Sequence, residues 1–155
     1  MRTSAFCIHV AVGMLTAVSF AAAQTPEDEV RSVIDMFFDG MRAGDSTMVR
    51  STLLKGAIAQ RAGETGLPTM DFEGFLTAIG TPHDEVWDER IWDVLIMVDG
   101  RLASAWMEFA FYLGDTLSHC GVNSMQLYRT DSGWKIAYLA DTNRGKQCNL
   151  PPDGN

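Results

Sequence analysis

Two adjacent residues, His119 and Cys120, are the part of the sequence that most resembles a catalytic or metal-binding pair. A catalytic cysteine needs a histidine within about 3 Å to act as its base. The residues after Cys120 alternate as in a strand, where neighbouring side chains point to opposite faces. Adjacency therefore argues against a dyad, and two interpretations of His119 stay open. It is either a rim histidine at a strand end or an acid or base at the mouth of a pocket.

Cys120 has another candidate partner in Cys148. Residues 120–129 and 134–141 are predicted to form a hairpin, which brings the later chain back towards Cys120. Residues 1–23 are predicted to be an export segment that is cleaved. The two cysteines that follow this segment, Cys120 and Cys148, favour a disulfide in an exported protein. A metal site would need further ligands, and His83 is the only other histidine beyond that segment. We expect a Cys120–Cys148 disulfide, no metal and no other cofactor.

Further polar groups are predicted to gather on one face of a sheet. Two-residue turns at Asp99-Gly100, Gly114-Asp115 and Asp131-Ser132 fix how four strands pair, and thereby which residues share a face. The resulting face is largely apolar and carries convergent polar groups at one end, as ligand pockets do. The predicted ligand-binding residues are Asp93, Trp106, Glu108, His119, Asn123, Tyr138 and Arg144.

Four of these residues are also candidate acids or bases: Asp93, Glu108, His119 and Tyr138. A buried carboxylate has a raised pKa that suits proton transfer, whereas a carboxylate on a partly exposed sheet is simply solvated. Both interpretations stay open, and the solvated one is the more common.

Asp141 and Arg144 also have several interpretations, because both stand where the last strand ends. They can hold a turn by side-chain hydrogen bonds or pair with each other at the pocket rim. Alternatively, Arg144 can bind an anionic ligand. The opposite face of the sheet is apolar nearly throughout, which predicts packing against helices or a dimer interface.

The elements that must position these residues follow from capping and periodicity. Thr25 is a plausible N-cap of a helix with apolar residues at spacings of 3 and 4, and Gly44 ends it. Asp45 caps a shorter helix, and residues 70–79 have helical spacing again. From Arg90 onwards the period becomes 2, which predicts four antiparallel strands. The fold class is therefore α+β: N-terminal helices on a strongly curved antiparallel sheet.

This order of elements, ending in "GWKI", resembles the nuclear transport factor 2-like superfamily, a cystatin-like cone fold that includes ketosteroid isomerase. The string "HCGVNSMQLYRTDSGWKIAYLADTNR" followed by a late cysteine is more narrowly similar to a secreted bacterial branch named for lumazine binding. The resemblance covers residues 24–148. It implies an internal pocket between the helices and the concave sheet, and frequently a dimer.

The first residues and the composition suggest where the protein acts. Arg2, the apolar run from Phe6 to Phe20 and the three alanines before Gln24 predict a signal peptide over residues 1–23 that is cleaved on export. A single domain over 24–148 and a flexible tail over 149–155 follow. The net charge is −8 and the sequence has no basic stripe, so nothing in its charge pattern supports nucleic-acid binding.

These patterns predict a periplasmic or extracellular protein that binds an unidentified small molecule and is free of the membrane after cleavage. The leading hypothesis is a non-catalytic ligand-binding protein. One alternative is an isomerase or dehydratase that uses a pocket carboxylate, tyrosine or histidine. The other is a structural or interaction module that forms a homodimer.

Overall fold

The structure is a computed structural model that describes residues 23–151. The predicted signal peptide lies almost wholly outside the described residues, as does the end of the predicted tail. The chain forms three helices and six strands in this order: α1 Pro26–Ala43, α2 Ser46–Thr52, β1 Leu53–Ala62, β2 Thr69–Met70, α3 Phe72–Gly80, β3 Trp87–Asp99, β4 Leu102–Leu113, β5 Thr116–Thr130 and β6 Gly133–Thr142.

The first two helices begin and end where capping chemistry predicts. Thr25 accepts a hydrogen bond from the backbone of Asp28, whose carboxylate accepts one from the Thr25 backbone, so the two form a capping box. Gly44 ends α1 with a left-handed φ of 66°. Asp45 then caps α2 through the Met48 backbone. These local hydrogen bonds fix the angle at which α1 reaches the sheet.

All six strands belong to one curved sheet in the order β2-β1-β6-β5-β4-β3. The four long strands β3 to β6 pair antiparallel to their neighbours, as predicted. β1 adds to β6 in parallel, so the sheet is mixed. The stretch "GAIAQRAGETGLP" is rich in glycine and predicts one short strand and a loop, whereas β1 is 10 residues long. This edge of the sheet matters to the site because β1 supplies one of its charged residues.

The helices pack against one face of the sheet, which we call the inner face. The core consists of α1, α2 and α3 side chains that meet alternate residues of β4, β5 and β6. The fully buried members include Ile34 from α1 and Met107, Met125 and Ile136 from three adjacent strands. The opposite face, here called the outer face, carries no helix among the described elements.

Two of the three predicted turns are confirmed. Leu113 pairs with Thr116 around Gly114-Asp115, and Thr130 pairs with Gly133 around Asp131-Ser132. The first turn was predicted one residue too early, because Asp99 pairs with Leu102 around Gly100-Arg101. The pairing of β3 with β4 is therefore shifted by two residues from the predicted pairing. Because side chains alternate between faces with a period of two, each side chain next to the turn still lies on its predicted face.

The predicted faces are nevertheless wrong further along the strands, because each hairpin contains a register shift. The shifts fall between Trp92 and Leu95 in β3, next to Ser118 in β5 and next to Ala137 in β6. Each adds one residue to one strand, and one extra residue turns every following side chain to the other face. Asp93, inside the first shift, has a left-handed φ of 49°.

The Cys120–Cys148 disulfide is present, with 5.8 Å between the two Cα atoms. Cys120 pairs with Ala110 on β4 and is fully buried, whereas the preceding residue, His119, faces inward opposite Phe111. Successive side chains of β5 point to opposite faces, and this separates His119 from Cys120, as predicted. The bridge holds the chain after β6 against β5, where the backbone of Cys120 also bonds to Arg144 and Gly145.

Among the described residues, no helix combines the length and the apolar composition needed to cross a membrane.

Candidate functional site

A cavity of about 380 Å³ lies between the helices and the inner face. Most of its wall is aromatic or aliphatic, from α1, the β2–α3 segment and the sheet. This volume is within the usual range for a small-molecule pocket. The aromatic residues that line it are Phe37, Phe38, Phe72, Phe75, Trp87 and Phe111. The polar residues that line it are Arg61, Asp71, Glu89, His119, Asn123 and Asp141.

An ion pair between Arg61 and Asp141 forms part of the polar wall. These residues are register partners on the parallel strands β1 and β6. The guanidinium Nε lies 2.9 Å from one oxygen of Asp141, and Nη2 donates to the other. These hydrogen bonds raise the pKa of Arg61. Because the contact is bidentate and Asp141 is buried, each charge is largely neutralised by the other.

Glu89 is a second carboxylate of the cavity wall and lies close to this ion pair. Its Oε1 accepts a hydrogen bond of 2.7 Å from Nδ2 of Asn123, which is the sole hydrogen-bond partner of the Glu89 carboxylate within residues 23–151. The surrounding protein removes most of the bulk water, and this desolvation raises the pKa of Glu89 to about 7. The charge of Asp141 raises it further, whereas the Asn123 hydrogen bond and Arg61 oppose the rise. Glu89 can therefore hold or release a proton near neutral pH.

His119 lies on the cavity wall between two aromatic rings. Its ring centroid is 5.7 Å from that of Phe109 and 5.4 Å from that of Phe111, and Nδ1 is 3.1 Å from the Ser118 hydroxyl. Burial lowers the pKa of His119, and the positive charge of Arg61 lowers it further. The imidazole is thus mainly neutral at pH 7. Of the seven predicted ligand-binding residues, His119 and Asn123 line this cavity.

Asp93 and Trp106 lie elsewhere. Asp93 sits at the bulge in β3 and is exposed, so Glu89 and not Asp93 supplies the β3 carboxylate of the cavity. Trp106 pairs with Leu95 on the outer face and is 52% exposed. The prediction that these residues share a face with Asn123 is wrong because the β5 bulge places Asn123 opposite Met107 on the inner face.

Glu108, Tyr138 and Arg144 also fall outside the cavity lining. Arg144 donates to the carboxylate of Glu108 and, over 3.0 Å, to the carbonyl of Gly121. The Tyr138 hydroxyl donates to Gln60 over 2.9 Å. Arg144 therefore pairs with Glu108, and Asp141 pairs with Arg61, so the alternative of a rim salt bridge between Asp141 and Arg144 does not hold. Whether any of these residues binds a ligand elsewhere stays a prediction.

Glu89 and Arg61 are not among the site residues predicted from the sequence. A signal for Glu89 was available, because Trp87, Glu89 and Ile91 alternate and a carboxylate stands between two large apolar residues. In a half-buried strand that pattern places the carboxylate on the apolar face. No comparable signal marks Arg61, which enters the site only because β1 pairs in parallel with β6.

The arrangement combines an apolar chamber with one titratable carboxyl, a neutral imidazole, an amide and a closed ion pair. It can bind an apolar molecule and orient one polar group of that molecule. Within residues 23–151, no group of three or more histidine, cysteine, aspartate or glutamate side chains has the arrangement to hold a metal ion.

Comparison with solved structures gives matches to proteins of one fold. A nuclear transport factor 2-like protein of unknown function from Pseudomonas putida is 14% identical, with a TM-score of 0.65 over 81% of this chain and 96% of that one. One with a cystatin-like fold from Novosphingobium aromaticivorans is 12% identical, with a TM-score of 0.62 over 76% and 80%.

A third match, from Streptomyces avermitilis, is provisionally named a dehydratase of the same family. It is 17% identical, with a TM-score of 0.60 over 76% of this chain and 94% of that one. No protein-family model matches this chain, and no curated protein matches it significantly. The chain therefore has the nuclear transport factor 2-like, cystatin-like fold, and at these identities the likeness shows the fold alone. The narrower resemblance to the branch named for lumazine binding stays a prediction.

Proposed function

We propose that this is an exported protein that binds an apolar small molecule in the cavity between its helices and the inner face. The observation that carries the proposal is the cluster of polar side chains on one part of an otherwise apolar cavity wall. Glu89 has one hydrogen-bond partner there, although a carboxylate can accept several hydrogen bonds. A ligand that enters the chamber would satisfy the remaining capacity.

Export is supported by two independent features. The predicted signal peptide directs the chain out of the cytoplasm, and a disulfide such as Cys120–Cys148 persists in oxidising compartments. Mass spectrometry of protein from the producing cells tests this step. We expect an N-terminus at Gln24 and two cysteines that resist alkylation until reduced. A cytoplasmic protein with free thiols would contradict it.

Ligand binding is testable by thermal shift against a panel of apolar metabolites. Leu113→Trp places a larger side chain at the cavity wall and is expected to abolish any rise in Tm caused by a ligand. Leu95→Trp makes the same change on the outer face and serves as the matched control. Ligand shifts that persist equally in both variants would contradict binding in this cavity.

Acid–base catalysis is the second candidate, favoured by the raised pKa of Glu89. A general base works best when its pKa is near the working pH. One structural match is provisionally named a dehydratase, which concerns that protein but is compatible with this chemistry. If a substrate is converted, Glu89→Gln should lower kcat by roughly 100-fold or more, while Glu64→Gln, at an exposed acid, should not. Unchanged turnover in Glu89→Gln would eliminate Glu89 as the base.

Self-association is a further expectation that we retain as a proposal. Exposed apolar side chains cluster on the outer face near the turn between β3 and β4, and such patches favour partner contacts. This outer patch consists of Leu95, Met97, Leu102, Trp106 and Tyr128.

Sedimentation equilibrium at micromolar concentration tests this proposal. We expect a dimer for the wild type and a monomer for Trp106→Glu. Val86→Glu, at an equally exposed apolar residue away from the outer patch, should remain dimeric. A wild type that is monomeric throughout would contradict self-association.

A further inference from the structure

The charges of the cavity wall are unequal. Arg61 is the only cationic side chain among the lining residues, against the three carboxylates Asp71, Glu89 and Asp141. The bidentate contact with Asp141 uses the charge of Arg61, so this arginine is poorly placed to bind an anion. With Arg61 and Asp141 cancelling each other, the remaining formal charge of the lining is −1 when Glu89 is protonated, from Asp71, and −2 when Glu89 is ionised.

Six aromatic side chains form much of the rest of the wall. The face of an aromatic ring carries negative electrostatic potential and attracts organic cations. Phe37 and Phe75 are stacked with centroids 6.2 Å apart, and Phe72 lies 6.2 Å from Phe75, so several rings surround one chamber. Aromatic walls combined with one ionisable carboxylate are suited to a cation with an apolar body.

We infer that the cavity binds a monocationic organic amine or quaternary ammonium compound, with the cationic nitrogen beside Glu89 and the apolar part against the aromatic wall. The inference rests on the proposed ligand-binding function and names its ligand class. An anion would face the uncompensated carboxylate. A neutral apolar molecule would leave the ionised form of Glu89 buried without a counter-charge, which is costly.

Binding of a permanent cation should depend on pH through Glu89. In the empty protein its pKa is about 7, so the carboxyl is mostly protonated at pH 5.5 and mostly ionised at pH 8. A cation selects the ionised form, and affinity therefore rises with pH across this interval, with proton release on binding in its lower part.

Other charged or titratable side chains line the cavity together with Glu89. His119 has a lowered pKa and is mainly neutral from about pH 7 upwards, Arg61 and Asp141 form an ion pair, and Asp71 caps α3. On the outer side of Glu89, the charged side chains that share a surface groove with it are engaged in ion pairs, namely Arg31 with Asp35, Arg42 with Asp39 and Asp88, and Arg90 with Asp88.

The test is calorimetric titration of the full exported protein with benzyltrimethylammonium and with its neutral isostere neopentylbenzene. We expect the cation to bind about 30-fold more tightly at pH 8 than at pH 5.5, which is the ratio of the ionised fractions of Glu89 for a pKa of about 7. Glu89→Gln should weaken binding at pH 8 and remove the pH dependence. Glu64→Gln, the matched exposed variant, should behave as wild type.

The outcomes separate this inference from the proposed function. If neopentylbenzene binds as tightly as the cation at both pH values, and Leu113→Trp blocks it, the cavity binds ligands but the inferred class is wrong. If the cation binds equally well to Glu89→Gln, the inference is overturned as well. If neither probe binds while a neutral metabolite raises Tm in the thermal-shift panel, the proposed function stands without the cation.

Discussion

The inner and outer faces of the same strands differ sharply in what covers them. On β4, Met107 and Phe109 are at most 1% exposed, whereas Trp106 between Ala105 and Met107 is 52% exposed. The inner face is covered by three helices apart from the cavity, and there the polar side chains are few and paired. Towards the β3–β4 turn, the outer face presents apolar side chains to solvent. Exposed aromatic area of this kind marks contact surfaces, while enclosed area with polar groups marks ligand sites.

The largest effect should come from truncating an inner-face ring. Phe109→Ala removes a fully buried side chain and is expected to lower the free energy of unfolding by about 3–5 kcal/mol. Trp106→Ala, three positions earlier on the outer face, should cost less than about 1 kcal/mol in the monomer. Urea denaturation at submicromolar concentration measures both. Equal losses of stability in the two variants would mean that the outer face is covered in the folded monomer, which would contradict the difference between the two faces.

Removing the disulfide should have the next largest effect. It joins residues separated by 28 positions, and constraining a loop of that length is worth about 3–4 kcal/mol in the chain-entropy model. The variant carrying both Cys120→Ala and Cys148→Ala should therefore unfold at lower urea. Its Arg144–Glu108 contact should also loosen, because the segment after β6 loses its covalent anchor. Wild-type protein reduced with dithiothreitol is the control, and stability unchanged by reduction would contradict this account.

Glu89 should make stability depend on pH with a definite sign. Its folded pKa of about 7 is above the value of 4.5 expected in the unfolded chain, so the folded state binds its proton more strongly. The stabilisation is fully present below about pH 4.5 and is lost as pH rises through 7. The full loss is at most roughly 3 kcal/mol, reduced by any water in the cavity.

Glu89→Gln removes this pH-dependent contribution to stability, and so tests whether an inner-face carboxyl differs from an exposed one. The variant should be more stable than wild type at pH 8 by about 1–2 kcal/mol and nearly equal to it at pH 5. Urea denaturation at the two pH values measures the difference, with Glu64→Gln as the exposed control. A Glu89→Gln variant that is less stable at pH 8 would show that Glu89 is held as a stabilising anion.

The smallest effects are expected at the β3 bulge. Asp93 adopts a left-handed conformation that glycine accepts freely and β-branched residues do not. Asp93→Val should cost about 1–2 kcal/mol, whereas Asp93→Gly should change stability by less than about 1 kcal/mol. Thermal unfolding of both variants checks this. If Asp93→Val were as stable as the wild type, the backbone of the bulge would have to rearrange when the residue changes.

Local chemistry accounts for what the sequence could predict. The capping residues Thr25 and Asp45, the turn at Gly114-Asp115 and the alternation of the long strands each act over a few neighbouring residues. From these the α+β class, the element order and the separation of His119 from Cys120 could be inferred. The disulfide also followed, because a hairpin returns the chain to its start.

The composition of the site could not be predicted in the same way. It depends on bulges at Asp93, Ser118 and Ala137, where no glycine or proline marks an irregularity. A bulge is favoured by how the curved sheet meets the helices, which is a property of the assembled fold. His119 and Asn123 line the cavity, whereas Asp93, Glu108 and Tyr138 lie outside its lining.

The bulge at Asp93 has a consequence for how such a protein diverges. The extra residue keeps Trp92 and Leu95 on the same outer face although they are three positions apart, and thereby keeps Trp87, Glu89 and Ile91 inward. If β3 paired regularly without losing a residue, its first half would rotate and direct Asp88, Arg90 and Trp92 inward instead. Ligand preference can therefore change through the presence or absence of one bulge, and descendants of equal length need not share a substrate.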